Sequence, residues 1–243
     1  SDGHRGGVAP EAGDLLARIA EALFRSAELR GVLTHAGSSY SSRSREEVNV
    51  WAGRERDAVL SAAALLRKRG HEVAVVSVGS TPTALSDVDL PGVTEVRAGV
   101  SMFFDLVQAG VGVCSFEDIA LSVMTTVIGH QRDRGMMIVD AGWMALSRDR
   151  GTAAQLADQK YGLVCDMEGD VLEDLLVLDA NQEHGIVGIR NGSAARLPEF
   201  PVGTRLRILP NHACATAAQH SGYHVVGGAN PTVQAFWPRF GGW

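Results

Sequence analysis

A histidine and a cysteine two residues apart form the pair best suited to metal chemistry in this sequence. His212 and Cys214 lie in the segment 210–214, directly after the strand-like residues 205–209. In an extended segment, side chains two residues apart project to the same face, so an imidazole and a thiolate can bind one zinc ion there. The remaining coordination positions are left for water, a carboxylate or substrate. The alternative is a buried cysteine beside a hydrogen-bonded histidine.

A second group of residues has the composition of a phosphate-binding loop. Residues 79–83 read Gly-Ser-Thr-Pro-Thr and follow a predicted strand over 72–78. Ligands gather in the loops at the carboxyl ends of parallel strands. Gly79 would let a backbone N–H approach an anion, and Ser80 and Thr81 would add hydroxyl donors. The segment therefore predicts a phosphate site, with a plain turn ended by proline as the alternative.

Three further polar side chains are candidates for contacts with a cofactor. His35 and Tyr40 lie where a predicted strand over 31–36 ends, and a histidine there is either a cofactor partner or simply a hydrogen-bonded residue. Arg5, in a Gly-rich first segment, is either a donor to a cofactor or a solvated loop charge. The charged triplet at residues 148–150 is interpreted as a solvated face.

These residues are attached to a predicted pattern of alternating strands and helices. Helices are predicted over 10–30 and 45–69, each followed by a glycine. The Val-rich run within 72–78 is typical of a parallel strand buried on both faces. This alternation is the order of βα units in a parallel sheet or barrel. The apolar side chains at helical spacing in the first helix are Leu15, Leu16, Ile19, Leu23 and Phe24.

Beyond residue 105 the pattern changes to short apolar runs separated by turn residues, which indicates antiparallel β structure. The runs cover residues 136–139, 175–178, 205–209, 223–226 and 232–237. A domain boundary is therefore expected between residues 105 and 115. We divide the chain at residues 1–110 and 111–243.

Composition narrows the classes of partner. The net charge of −6 offers no basic field for nucleic acid or for an anionic membrane, so a small molecule is the expected partner. The most apolar region, 103–129, is interrupted by three acidic residues, so no transmembrane helix is predicted. Three cysteines without framework spacing suit a reducing compartment, and a cytoplasmic location is expected.

Taken in order, these segments resemble the D-serine dehydratase / D-threonine aldolase family, relatives of alanine racemase with a fold-type III pyridoxal-phosphate barrel. The likeness covers nearly the whole chain. The segments that carry it are residues 2–8 (DGHRGGV), 33–37 (LTHAG), 79–83 (GSTPT), 95–99 (EVRAG), 139–142 (VDAG), 183–185 (EHG) and 209–214 (LPNHAC).

The resemblance implies an α/β fold in which residues 1–110 form the C-terminal half of a (β/α)8 barrel, with about four of its eight strands. Residues 111–243 would form a smaller antiparallel β domain with the metal site. It also implies roles in binding pyridoxal phosphate and zinc. Arg5 would donate to the phenolic oxygen of the cofactor, and His35 and Tyr40 would line the pocket around its ring. Gly79, Ser80 and Thr81 would hold its phosphate, and His212 and Cys214 would bind the metal.

The implied reaction is dehydration of a D-configured β-hydroxy-α-amino acid to a keto acid and ammonia. A metal-dependent aldolase that yields glycine and an aldehyde is the alternative within the family. Aldolases of the family more often have Asp at the position of Cys214 and use a harder metal such as manganese or magnesium, whereas a thiolate favours zinc. A second alternative is a non-catalytic barrel fragment.

The sequence departs from the family pattern in two places. The family's Schiff-base lysine lies upstream of the matched region, and neither Lys68 nor Lys160 fits that role. Ser101 stands where many relatives have an aromatic residue, which puts the pocket shape in question. Because half a barrel leaves unpaired strand edges, we expect an N-terminal portion elsewhere, either as a second chain or as a region outside this sequence, and a homodimer of the complete unit.

Overall fold

The structure is a computed structural model that describes residues 6–227 and 230–241. The chain divides into two compact units. The first consists of Ser1–Ser101 with Val111–Val113 and is called here the parallel-sheet unit. The second, called the closed-barrel unit, consists of Met102–Gly110 and Cys114–Trp243.

The parallel-sheet unit contains three parallel strands in the order β1-β2-β3, each preceded by a helix. Its elements are α1 (Gly13–Leu23), β1 (Gly31–Leu33), α2 (Arg45–Lys68), β2 (Val75–Gly79), α3 (Thr81–Ala84) and β3 (Glu95–Arg97). Short 3-10 turns at Gly37–Ser41 and Val100–Met102 follow β1 and β3. The implied fourth strand of the half barrel, in the first residues of the chain, lies largely outside the described residues.

The residues at both ends of α2 stabilise the ends of the helix. The side chain of Ser44 accepts a hydrogen bond from the backbone N of Glu47, which caps the first turn. Basic residues occupy the last turn, where they favour the negative end of the helix dipole. The buried face of α2 packs against β2 in one core cluster that includes Val59, Ala63 and Val76.

The buried face of α1 differs from the predicted one. Ala17 and Ala20 are buried, with Leu16 packed against the same cluster. The predicted apolar residues Leu15 and Ile19 are 48% and 39% exposed. The small side chains form the close contact, and the side chains of Leu15 and Ile19 point away from the core.

The closed-barrel unit is built on six antiparallel strands that close in the order β4-β5-β8-β7-β6-β9. Its strands are β4 (Val123–Gln131), β5 (Met136–Val139), β6 (Gly162–Cys165), β7 (Val171–Ala180), β8 (Gly185–Ile189) and β9 (Arg205–Pro210). Short helices α5 (Trp143–Leu146) and α6 (Ala213–Ala217) follow β5 and β9, and α4 (Leu106–Val111) precedes β4. A hairpin of β10 (Gly222–Gly227) and β11 (Asn230–Pro238) ends the chain.

Closure of the barrel buries alternate residues of each strand in its interior. Val127, Met137, Val139, Val177 and Ile208 are fully buried in this core. Each such side chain contributes about 1.5–3 kcal/mol relative to exposure. The barrel therefore gives a rigid base for the loops at its ends.

Among the described residues, no helix has both the length and the apolar character needed to span a bilayer.

Candidate functional site

The predicted metal pair lies at the end of a barrel strand, where β9 gives way to α6. His212 has an extended backbone and is the N-cap residue of α6, and Cys214 is the second residue of that helix. The prediction of an extended segment across both residues was therefore wrong. The thiol of Cys214 is nevertheless near enough to raise the pKa of His212, so the chain turn brings imidazole and thiol together. His212 and Cys214 are called the metal clamp below.

An aspartate orients the histidine of the clamp. Nδ1 of His212 lies 2.6 Å from Oδ2 of Asp149, which leaves Nε2 as the nitrogen that can bind a metal. The contact with Cys214, and then Asp149, raises the pKa of His212 to about 9, against the opposing effect of burial. A carboxylate on the far nitrogen of a ligating histidine is the usual arrangement in metal sites.

A second aspartate holds the backbone of the clamp. Asp105 is completely buried, and its Oδ2 accepts a hydrogen bond of 2.8 Å from the N of Ala213, the residue between the two clamp side chains. Its Oδ1 accepts from the N of Gln108 at 2.9 Å. Burial raises the pKa of Asp105, and these backbone N–H donors oppose that rise. The next residue, Leu106, packs into a core cluster with Leu209 of β9, which fixes Asp105 beside the clamp.

Asn211 fixes the loop that carries Asp149. Its side chain is buried and donates to Oγ1 of Thr152 and to the carbonyl oxygen of Lys160, both at 2.7 Å. Its Oδ1 accepts from the N of Thr152 at 3.2 Å. The loop is thereby bonded to the residue directly before His212.

The clamp fits a metal with an open coordination sphere. Among residues 6–227 and 230–241, no group of three or more His, Cys, Asp or Glu side chains is placed to hold a metal ion. The clamp thus offers one nitrogen and one sulfur ligand, and Cys214 is exposed. A site with few protein ligands leaves positions for water or substrate, as catalytic metal sites do.

The predicted phosphate loop lies at the carboxyl ends of β2 and β3 in the parallel-sheet unit. Gly79 pairs with Arg97 of β3, and a Cβ on Gly79 would lie 2.7 Å from the Cβ and the carbonyl oxygen of Arg97. The N of Gly79 donates to Oε1 of Glu55 at 3.0 Å. Glycine is therefore required here by the close approach of β3, and its N–H is already bonded within the protein.

The hydroxyl groups of the loop form hydrogen bonds within the parallel-sheet unit. Ser80 is buried, and its Oγ lies 2.9 Å from the hydroxyl oxygens of both Ser39 and Thr83. Oγ1 of Thr81 accepts from the N of Val100 at 3.1 Å, which ties the ends of β2 and β3 together. Open space remains next to this contact, because a Cβ on Gly99 would meet no atom within 4 Å.

Two of the remaining predicted cofactor residues, His35 and Tyr40, lie in the same unit. The rings of His35 and Tyr40 are stacked, with centroids 6.1 Å apart, and both are half-buried. His35 also lines a cleft of about 120 Å³ together with Trp51 and Glu55. Arg5 lies outside the described residues. Ser101 donates to the carbonyl oxygen of Ala98 at 2.6 Å.

Of the two lysines, one is paired and one is exposed. Nζ of Lys160 forms an ion pair of 3.1 Å with Asp158. Lys68 is exposed at the last position of α2.

Sequence reasoning missed Asp149, Asp105 and Glu55. The triplet at 148–150 was interpreted as a solvated face, yet its central aspartate contacts His212. Asp105 appears in the sequence as a charge within an apolar region. Glu55 occupies a position on the buried stripe of α2, and an acid at such a position was the one available signal.

Comparison with known proteins matches both halves of the chain. The alanine racemase N-terminal domain model matches residues 1–107, and the putative serine dehydratase domain model matches residues 120–226. D-threo-3-hydroxyaspartate dehydratase of Delftia sp. (strain HT23) is 54% identical over 246 residues, which cover 100% of this chain and 64% of that protein. D-serine dehydratase of Dictyostelium discoideum is 32% identical over 221 residues, covering 87% of this chain and 54% of that protein. The chain thus spans less than two thirds of the length of these relatives.

Solved structures show the same relationship. The Delftia dehydratase superposes with a TM-score of 0.93 over 100% of this chain and 64% of that chain. Its solved variants include a cysteine-to-alanine mutant in the metal-free form and a histidine-to-alanine mutant two positions earlier. D-threonine aldolase from Filomicrobium marinum is 27% identical and superposes with a TM-score of 0.76 over 97% of this chain and 59% of that chain. By family models, identity and fold, the chain belongs to the D-serine dehydratase / D-threonine aldolase family and has its alanine racemase-like fold.

Proposed function

We propose that the protein to which this chain belongs is a pyridoxal-phosphate- and zinc-dependent lyase that dehydrates a D-configured β-hydroxy-α-amino acid to a keto acid and ammonia. The observation that carries the proposal is the metal clamp, in which Asp149 orients His212 beside Cys214. The 54% identity to a D-threo-3-hydroxyaspartate dehydratase supports the substrate class. The spacing of the histidine and cysteine substituted in that enzyme equals the spacing of His212 and Cys214.

The residues of the clamp suit zinc. A thiolate is a soft ligand and favours zinc over manganese or magnesium, which prefer oxygen ligands. When bound, zinc acts as a Lewis acid that makes a β-hydroxyl a better leaving group, and pyridoxal phosphate acts as an electron sink for negative charge at Cα. The chain's own part is to hold Nε2 of His212 and Sγ of Cys214 on a fixed backbone. Asp149 and Asp105 provide that fixation.

The cofactor residues are assigned on the resemblance and on the fit of the phosphate loop. We propose that the phosphate is held at the ends of β2 and β3 by Gly79, Ser80 and Thr81. Gly79 would allow the close approach of the backbone, and Ser80 and Thr81 would bind chiefly through their backbone, because the N of Gly79 and the two hydroxyls already bond within the protein. By the resemblance, His35 and Tyr40 would line the ring of the cofactor, and Arg5 would donate to its phenolic oxygen.

The aldolase reaction is the second candidate, favoured by the structural likeness to D-threonine aldolase. The presence of Cys214 rather than an aspartate supports the dehydratase instead, because aspartate suits the harder metals. A non-catalytic fragment is the third candidate, and the absence from these 243 residues of a lysine at the family's Schiff-base position is in its favour.

We further propose that the Schiff-base lysine is supplied from outside these 243 residues, in keeping with the 64% coverage of the Delftia enzyme. A second chain is one possible source, and intact-mass analysis of the purified protein would reveal it. The complete unit is proposed to be a homodimer. A cytoplasmic location is proposed on the three free cysteines.

The function is tested by following product and metal together. Purified protein is incubated with D-threo-3-hydroxyaspartate, D-serine and D-threonine, and ammonia, keto acid and aldehyde are measured separately. Ammonia and keto acid are expected in equal amounts, and bound zinc near one per chain. His212→Ala and Cys214→Ala should each lose the metal and the activity. Release of aldehyde and glycine alone would overturn the dehydratase assignment, and the exchange of zinc for manganese in the same assay separates the two reactions.

A further inference from the structure

We propose that Glu55 is a positioning residue that fixes the phosphate loop and so lets the protein select phosphorylated over unphosphorylated pyridoxal. This inference rests on the proposed binding of pyridoxal phosphate. Glu55 lies in the middle of α2, and the loop it acts on is Gly79–Thr83, between β2 and the end of α3.

The carboxylate of Glu55 bonds to the ends of two neighbouring strands. Its Oε1 accepts from the N of Gly79 at 3.0 Å and from Oγ1 of Thr34 at 3.1 Å. Its Oε2 accepts from Oγ1 of Thr83 at 2.7 Å. Glu55 is only 6% exposed, so these three donors replace the water that the carboxylate loses.

Burying a carboxylate between a helix and a sheet costs free energy, because the charge loses its hydration. The other buried residues on this face of α2 are apolar, among them Val48, Ala52 and Val59. Apolar side chains of similar volume commonly stabilise a protein as well as, or better than, buried charged groups. What a carboxylate provides and an apolar residue does not is a fixed position for the N of Gly79 and the hydroxyl of Thr83.

Further hydrogen bonds connect Thr83 to the rest of the loop. The Thr83 hydroxyl lies 2.9 Å from Oγ of Ser80, which lies 2.9 Å from Oγ of Ser39. Oγ of Ser80 also accepts from the N of Thr83 at 3.3 Å, which caps α3. Glu55 therefore holds the first and last residues of the loop, and the serine holds the middle.

The charge of Glu55 acts against the proposed ligand, because a carboxylate repels a phosphate. Its contribution must therefore be geometric. Glu55→Gln separates the two effects, since Oε1 of glutamine can keep the donors from Gly79 and Thr34. Its Nε2 can donate to Oγ1 of Thr83, whose hydroxyl then donates to Ser80. The substitution keeps the loop in place and removes the repulsion.

The experiment compares affinity for pyridoxal phosphate and for pyridoxal in the purified protein. Dissociation constants for both compounds are measured by fluorescence titration for the wild type, Glu55→Gln and Glu55→Ala. Val59→Ala is the matched control for lost stability, because Val59 lies on the same buried face of α2 and belongs to an apolar core cluster that contains no residue of the loop. Thermal unfolding of each variant shows that it is folded.

The ratio of the two dissociation constants is the decisive quantity. Glu55→Ala is expected to reduce the preference for pyridoxal phosphate about tenfold, the loss of roughly one hydrogen-bonded contact to phosphate, with little change for pyridoxal. Glu55→Gln should keep the wild-type preference or increase it, and Val59→Ala should lower thermal stability and leave the preference unchanged.

Two outcomes would overturn the proposal. One is a preference in Glu55→Ala within about twofold of the wild type, which is less than one such contact is worth. The other is an equal loss in Glu55→Gln and Glu55→Ala, because the charge would then matter and the geometry would not. A wild-type protein that binds neither compound refutes the proposed function itself, and this inference with it.

Discussion

Replacing Asp149 by asparagine is expected to weaken metal binding at the clamp without unfolding the protein. Asp149 accepts a hydrogen bond from Nδ1 of His212 at 2.6 Å, and this contact holds the ring with Nε2 available to the metal. Asparagine has the same shape and can still accept through its amide oxygen. It lacks the negative charge that makes His212 a stronger ligand.

The size of the effect follows from the exposure of the pair. Removal of such a carboxylate partner typically costs 10–100-fold in metal affinity, which is about 1.4–2.7 kcal/mol. The side chains of His212 and Asp149 are 36% and 37% exposed, so solvent screens part of their interaction. We therefore expect the lower end of that range, about tenfold.

The assay is competition for zinc with a chromophoric chelator at pH 7.5, using protein first stripped of metal. Asp133→Asn is the matched control, because Asp133 is an exposed carboxylate of the same unit on a turn between β4 and β5. The control should bind zinc as the wild type does. Wild-type affinity in Asp149→Asn would refute the assigned role of Asp149.

Three further results are expected. In metal-free protein, the pKa of His212 is raised from 6.5 to about 9, so protonated His212 stabilises the fold fully below pH 6.5. This contribution to stability is lost as the pH rises through about 9. The melting temperature should therefore fall between these two pH values in the wild type, and fall less in His212→Asn. Leu175→Ala removes a fully buried side chain of the barrel core and should cost about 2–5 kcal/mol in chemical denaturation, with zinc affinity in the folded state unchanged. Asn211→Ala removes three hydrogen bonds to the loop carrying Asp149 and should lower both the unfolding free energy, by about 1–3 kcal/mol, and the zinc affinity in the same titration.

The sequence predicted those helices and strands whose first and last residues are determined by capping or turn residues next to them. The second helix was predicted over 45–69 and spans Arg45–Lys68, since a serine cap and a following glycine mark its ends. The run at 136–139 is β5. The first helix was predicted over 10–30 and spans only Gly13–Leu23.

Strands without a clear alternation of apolar and polar residues were harder to predict. β4, β6 and β8 were missed. β6 has only four residues, and β8 contains two glycines, which are depleted in strands, so neither shows a clear alternation. Their pairing is fixed by closure of the barrel, which no local window contains.

The same physical limit applies to the site. His212 and Cys214 are two residues apart, so their spacing allowed a metal pair, and the resemblance to the family implied one. Their supports are distant: Asp149 is 63 residues from His212, and Asp105 is 108 residues from Ala213. Hydrogen bonds over such separations depend on the folded barrel, and an isolated aspartate in the sequence does not reveal them.

The metal clamp itself is tested most directly by zinc K-edge X-ray absorption on the purified protein. One sulfur at about 2.3 Å and one imidazole nitrogen at about 2.0 Å are predicted, with lighter ligands completing the shell. In Cys214→Ala the sulfur scattering should disappear. A zinc spectrum with only oxygen and nitrogen neighbours in the wild type, or one unchanged by Cys214→Ala, would contradict metal binding by His212 and Cys214.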